Sequence, residues 1–398
     1  MTEHKEYDAI IIGGGPAGMI AAAELAEKGS TVLILEEHPQ IGLPDHCAGL
    51  VSVSGLKRLG LSPSPESIQN LVSGARVIAP NGNVLEVGGK ADKAYVLNRY
   101  LFDRSLATVA MEAGVQIELN SKVARVMREG GVFTCGSSAG KSYRCRLLID
   151  SEGISCRILK TLGLTPPSSD WILPAVQFEI SWKELDADFV ELYLGKDVAP
   201  GFFAWSIPMN EKTTKIGLAA KGANPLEMLR RFRDQYFRAS QVFSIRSGSV
   251  VLGGPIVKTF DENLLVVGDA AGQTKPTTGG GVVTGGLCAK LAASVGTNAL
   301  LEEDLSAEAL SIYQKQWKHM LGGEFTKMQT LRRLFLKISD DSLNRILDFA
   351  SRSDLRRIIE EKGDMDFQGD VISHVIRQPG IDRLLFSLGA DILTSILK

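Results

Sequence analysis

Residues 7–36 read YDAIIIGGGPAGMIAAAELAEKGSTVLILE, and this stretch decides the fold. Its first six residues, YDAIII, form a short β-rich apolar run. GGGPAG follows at once, and MIAAAELAEKG then reads as an Ala/Leu/Glu-rich helix closed by Gly29. TVLILEE, residues 31–37, reads as a second buried strand. Strand, glycine turn, helix and strand within about 30 residues make a βαβ unit with a right-handed crossover. Gly13-x-Gly15-x-x-Gly18 lies between the first strand and the helix. Gly13 permits the tight turn, and Gly15 lets the backbone approach a pyrophosphate. Gly18, just after Ala17, lets helix and strand pack closely, and the helix N-terminus faces the phosphate charge. Glu36 ends the second strand, 18 residues beyond Gly18. A carboxylate there can accept both hydroxyls of an adenosine ribose and repel a 2′-phosphate. The pieces together predict a dinucleotide site.

Outward from this unit, residues 38–60 read as loop, rich in Gly, Pro and His. Residues 74–98 show short alternating strands around Asn81-Gly82, the pattern of an antiparallel sheet. A helix is expected at 99–113, with strands near 115–127 and 143–150. The segment 171–220 again reads antiparallel, and 225–240 helical. NLLVVG, residues 263–268, is another buried strand, entering a glycine-rich stretch and a helix to about 294. From 301 onward the pattern is helical, with Pro379 its only proline. No internal repeat is present.

The 398 residues suffice for two or three domains with a large core. Lys and Arg total 44 against 46 Asp and Glu, a net charge of −2 that argues against nucleic acid as a partner. Cys47, Cys135, Cys145, Cys156 and Cys288 are scattered, with no CxxC pair, so neither a disulfide framework nor a zinc site is expected. No apolar run approaches the roughly 20 residues of a membrane span, and the N-terminus is polar. The expectation is a cytoplasmic protein that can still lie on the inner face of the cell membrane.

Leu265-Val-Val-Gly-Asp269-Ala-Ala-Gly272 places a carboxylate just after a strand, and Gly279-Gly280-Gly281-Val282 opens the next helix. This resembles the "GD" motif of the glutathione-reductase-like flavoproteins, especially the para-hydroxybenzoate hydroxylase group. The resemblance implies FAD, with Asp269 bonding the ribityl chain and the helix N-terminus at Gly281 and Val282 facing the flavin's N1 side. A helix N-terminus stabilises negative charge such as a reduced flavin carries there. It further implies Arg99 near the pyrophosphate and a backbone contact from Val123 to adenine. Asp150-Ser-Glu-Gly153-x-Ser155-x-Arg157 resembles the family's "DG" segment, with Glu152 in place of the usual Asp.

Two further segments narrow the resemblance: Asp45-His46-Cys47-Ala48-Gly49-Leu50-Val51-Ser52 and Pro200-Gly-Phe-Phe203-Ala-Trp205-Ser-Ile207-Pro208. With KPTTGGGVVTGG they resemble the geranylgeranyl reductase family, in particular archaeal digeranylgeranylglycerophospholipid reductases, over roughly residues 5–300. That family's sheet motif is P-x-x-Y-x-W-x-F-P; here Phe203 replaces Tyr and Ile207 replaces Phe. The resemblance implies reduction of isolated C=C bonds in prenyl chains by reduced flavin. It implies Cys47, Phe203 and Trp205 beside the chain, and backbone contacts to FAD at Cys47, Ala48 and Leu50. Packing alone is the alternative for Cys47 and for the aromatics, and His46 reads as a solvated loop histidine. An external donor (ferredoxin, a deazaflavin or NAD(P)H) is expected, since no second GxGxxG is present. An FAD-dependent aromatic hydroxylase, a flavoprotein electron carrier to a quinone and a non-catalytic FAD binder remain open at this point. The implied fold is a glutathione-reductase-like Rossmann domain with an inserted antiparallel substrate sheet. Its FAD-binding parts are 1–73, 99–165 and 255–300, its substrate parts 74–98 and 166–254, and a helical region follows over 301–398. The amphipathic tail is read as packing on the body, with LLFSLG and ILTSILK as the segments that would draw on a bilayer.

Overall fold

The computed structural model describes residues 5–377, apart from 183, 185 and 353. It divides into two compact units: Met1–Asp45, Arg99–Trp171 and Val251–Phe325, and His46–Asn98, Ile172–Val250 and Thr326–Lys398.

The first unit is built on the βαβ pattern. Strands Lys5–Ile12 and Val32–Leu35 flank helix Pro16–Glu27 and pair in parallel, Ile12 opposite Leu35. The sheet order is Phe260–Asp261, Leu264–Val266, Ser142–Asp150, Lys5–Ile12, Val32–Leu35 and Gln116–Glu118. All neighbours are parallel except the first pair. Every residue of Val32–Leu35 is buried, as expected of a parallel sheet covered on both faces. Helix Pro16–Glu27 packs against helix Val282–Leu301, and both bury stripes of Ala and Gly that permit close approach. At Gly296 an added Cβ would stand 2.7 Å from Leu147 Cδ2, so a larger residue would lift the second helix off the sheet. That helix runs seven residues past its expected end. The pair Val123–Glu129 and Val132–Ser137 continues antiparallel from Ser142–Asp150; its second strand was absent from the sequence reading.

The second unit holds two sheets. Seven strands lie in the order Val242–Val251, Ile172–Ser181, Thr213–Ala219, Ala204–Pro208, Phe189–Tyr193, Gly74–Ile78 and Val84–Gly88. The expected antiparallel pattern has one exception: Phe189–Tyr193 runs parallel to Gly74–Ile78. Helix Pro225–Tyr236 covers one face through Leu229 and Phe232, packed on Val176, Phe178, Ile216 and Leu218. Asn224 caps this helix, accepting from Leu226 N–H at 3.0 Å.

A three-stranded sheet joins Leu50–Ser52, Ala94–Leu97 and Ile68–Val72, all antiparallel. It corrects the expected loop at 38–60: residues 50–52 are a strand and Val53–Leu59 a helix. Ser52 Oγ accepts from Gly55 N–H at 2.9 Å, and Gly60 closes the helix with φ +69°. These pairings also place residues 46–73 in the second unit, whereas the sequence had grouped them with the nucleotide-binding part. Helices Asp340–Arg352 and Leu355–Lys362 bury Leu347, Ala350 and Leu355 against Ala79 and Leu85. LLFSLG and ILTSILK lie outside the described residues. No helix among the described residues is long and apolar enough to cross a membrane.

Candidate functional site

In the first unit three parallel strands end in register, Ile12 beside Asp150 and Asp150 beside Val266. Each runs into a turn, and the carboxyl ends of parallel strands are where open α/β sheets bind ligands. Gly13, with φ +96°, is pressed against Ser151: a Cβ there would lie 2.5 Å from Ser151 O. Ser151 Oγ donates to Ile12 O at 2.7 Å and Gly13 O at 2.9 Å, tying the first turn to the second. A Cβ on Gly18 would lie 2.2 Å from Gly13 O, whereas one on Gly15 would meet nothing. The open side of Gly15, at a helix N-terminus that no side chain caps, is the cradle a pyrophosphate requires.

Glu36 lies beside this turn. Its Oε2 accepts from Gly14 N–H at 2.6 Å, and its Oε1 from His38 N–H at 2.9 Å. The His38 ring Nδ1 also lies 2.5 Å from Oε1. A carboxylate has about four lone-pair sites, so these three contacts orient Glu36 and leave it about one further acceptor site. Arg99 opens helix Arg99–Glu112 and is held bidentately by Asp103, both contacts at 2.9 Å. Val123 is buried at the start of its strand; the preceding Ser121 donates its N–H to Glu36 O at 2.7 Å. Glu36, Val123 and the glycine turn are thus brought to one edge of the unit.

The third turn carries Asp269. Ala17 faces it: a Cβ on Gly268 would stand 3.1 Å from Ala17 Cβ. A Cβ on Gly281 would stand 3.0 Å from Asp269 Oδ1, so only glycine lets the carboxylate sit against the uncapped N-terminus of helix Val282–Leu301. A buried polar chain underlies the turn. Gly268 N–H donates to Gln273 Oε1 at 3.0 Å, Gln273 Nε2 to Tyr313 Oη at 2.8 Å, and Tyr313 to Val266 O at 2.9 Å.

Glu152 accepts from Arg157, Ile158 and Leu159 N–H at 3.0, 2.8 and 3.1 Å, so the longer Glu caps the Arg157–Thr161 turn. Asp150 is fully buried and its Oδ2 finds no partner; burial, aided by the charge of Glu152, pushes its carboxyl well above the usual range. Burial likewise pushes the Cys156 thiol up to about 12, and Cys288 is sealed in the core.

In the second unit the sheet face opposite helix Pro225–Tyr236 carries the other expected residues. Trp205 lies flat over Gly217, where a Cβ would stand 2.4 Å from Trp205 Cζ2, and its Nε1 donates to Gln177 Oε1 at 3.3 Å. Phe202 and Phe203 stack at 4.1 Å, and Phe203 meets Trp205 edge-on at 6.3 Å. Cys47 is half-buried, and its Sγ accepts from Gly49 N–H at 3.4 Å. His46 is exposed and rests on Gly248. Gly49 has φ +80° and a Cβ there would lie 2.2 Å from Leu97 O, which fixes the loop before Leu50 against the small sheet.

Four residues escaped the sequence reading. Gln273 and Tyr313 brace the Asp269 turn. Lys215, 2% exposed, donates to Ala48 O at 3.3 Å and Leu97 O at 3.5 Å, and so anchors the Cys47 loop. Arg332 sits beside Phe202. Lys215, in a strand otherwise free of charge, gave a hint, whereas Arg332 sits in a helix rich in polar residues and gave none.

A five-stranded parallel sheet with a pyrophosphate cradle and an acid-bearing third turn defines a flavin-dependent oxidoreductase domain, and residues 6–224 match the family described as FAD binding domain. Digeranylgeranylglycerophospholipid reductase 2 of Methanopyrus kandleri is 32% identical over 94% of this chain and 98% of its own length. Digeranylgeranylglycerophospholipid reductase 2 of Methanothermobacter thermautotrophicus is 33% identical over 89% of this chain and 94% of its own. The chain belongs to the digeranylgeranylglycerophospholipid reductase family. In fold it is similar to a geranylgeranyl bacteriochlorophyll reductase-like protein of Thermoplasma acidophilum, with a TM-score of 0.88 and 24% identity over 98% of this chain and 100% of that one.

Proposed function

We propose that this chain is an FAD-dependent reductase that saturates C=C bonds in the geranylgeranyl chains of archaeal-type membrane ether lipid precursors. The observation that carries the reading is the near-full-length similarity to relatives named for that lipid class. The apolar ladder Phe202–Phe203–Trp205 supports it. FAD, when bound and reduced, supplies a hydride to one carbon of the alkene.

The chain's own residues hold and position. Gly13, Gly15, Ala17 and Gly18 form the turn that holds the pyrophosphate together with Arg99, Glu36 and Val123 hold the adenosine end, and Asp269 holds the ribityl chain. The N–H groups at Gly281 and Val282, with backbone at Cys47, Ala48 and Leu50, hold the flavin ring. An isolated alkene offers no carbonyl to polarise, so rate must come from orientation and from stabilising positive charge on carbon. Phe203 and Trp205 supply flat apolar walls, and an indole face attracts that charge. Phe203 carries no hydroxyl, so Cys47 positions the chain or delivers the proton to the second carbon. Electrons come from an external donor: ferredoxin, a deazaflavin or NAD(P)H. The enzyme works in the cytoplasm at the inner face of the membrane that holds its lipid.

Anaerobic mixing of dithionite-reduced holoenzyme with a geranylgeranyl lipid tests this. The flavin's visible absorbance returns with wild type, and returns about tenfold or more slowly in Cys47→Ser and Trp205→Ala, which keep their FAD. Equal rates in both variants contradict the residue assignments, and no return in wild type contradicts the reading itself.

A further inference from the structure

Arg332 lies on helix Gly323–Phe335 and is 4% exposed. Its Nη2 donates to Gly201 O, and its guanidinium lies over Phe202 at 5.3 Å and Phe335 at 5.7 Å. Its Nε has no partner, and no carboxylate among the described residues acts on its charge. A guanidinium stays protonated in proteins, so a buried one without a counter-ion leaves a charge uncompensated. Burial lowers its pKa to about 10, the mark of that cost. Lys221 runs along the same turn: its N–H donates to Pro200 O at 2.8 Å, and a Cβ on Gly201 would stand 3.0 Å from its Cβ. From this corner the ring ladder leads away, Phe202 to Phe203 to Trp205.

Resting on the proposed prenyl reduction, we infer that Arg332, seconded by Lys221, binds the phosphate of the lipid substrate and so fixes which stretch of chain lies along Phe203 and Trp205. The guanidinium offers planar paired donors suited to a phosphate oxyanion. The rings beside it take the hydrocarbon, so head and tail of one amphiphile are read by adjacent groups. Arg332 acts here by binding substrate and takes no part in the chemical step.

The test compares geranylgeranyl phosphate with geranylgeraniol, matched in chain and differing in charge. In Arg332→Gln the ratio of kcat/KM for phosphate over alcohol falls about tenfold or more, the size of one lost charge-assisted hydrogen bond. In Lys221→Gln, an exposed position that protects against misfolding, it falls less but in the same direction. A ratio unchanged in both variants overturns the inference and leaves Arg332 as a clamp on Gly201. Inorganic phosphate alone binding as tightly as the prenyl phosphate also overturns it, in favour of a free-anion site. If wild type reduces neither compound, the prenyl reading has failed, and calorimetric binding of the two probes to oxidised holoenzyme scores Arg332 by the same ratio.

Discussion

A methyl group added at Gly15 enters open space, while one added at Gly18 meets Gly13 O at 2.2 Å and Ser151 Oγ at 2.6 Å. The two glycines of one motif therefore have separable roles. Gly15→Ala is expected to change the stability of the cofactor-free protein by less than about 0.5 kcal/mol yet weaken FAD about tenfold or more. Gly18→Ala is expected to cost about 1–3 kcal/mol of stability before FAD is considered, because backbone must shift. Urea unfolding of both apoproteins, beside FAD titration, checks this; equal stability losses would contradict it. The spacing of the glycines was legible because local turn chemistry dictates it. That Gly13 is crowded by Ser151 was not, since the two meet only after strands 138 residues apart pair. The role of Glu152 was half legible: the departure from Asp is visible in the sequence, but its capping of the Arg157–Thr161 turn needs the third dimension.

Among the elements, helix Val282–Leu301 and helix Ala307–Trp317 act as a pair on the Asp269 turn. Tyr313 reaches from the second helix to Val266 O and receives Gln273, whose own carbonyl oxygen accepts from Thr284 Oγ1 of the first at 2.6 Å. Tyr313→Phe removes one hydroxyl and strands two buried polar groups, so it should cost about 1–3 kcal/mol and speed FAD loss. Urea unfolding and the FAD dissociation rate read both effects; a neutral variant would show that the chain of hydrogen bonds does not brace the turn. The long strands and helices were legible from periodicity. The helix at Val53–Leu59 was not: seven residues carry too little pattern to outweigh the Gly, Pro and His around them, although Ser52 and Gly60 mark its ends.

At the scale of the molecule, the chain passes between two compact units and back several times. The first was legible because its apolar strands Lys5–Ile12 and Leu264–Val266 run into glycine-rich turns followed by helices. The second was less so. Residues 46–73 join it through pairing of Leu50–Ser52 and Ile68–Val72 with Ala94–Leu97, partners that no local pattern announces. Arg332, a charge buried against Phe202 across 130 residues of chain, shows the same limit. The most direct measurement is mass spectrometry of a geranylgeranyl lipid incubated with the chemically reduced, FAD-loaded protein. The expected product is heavier by two hydrogens for each double bond saturated. A lipid recovered at unchanged mass, from protein shown to hold reduced FAD, would contradict the account.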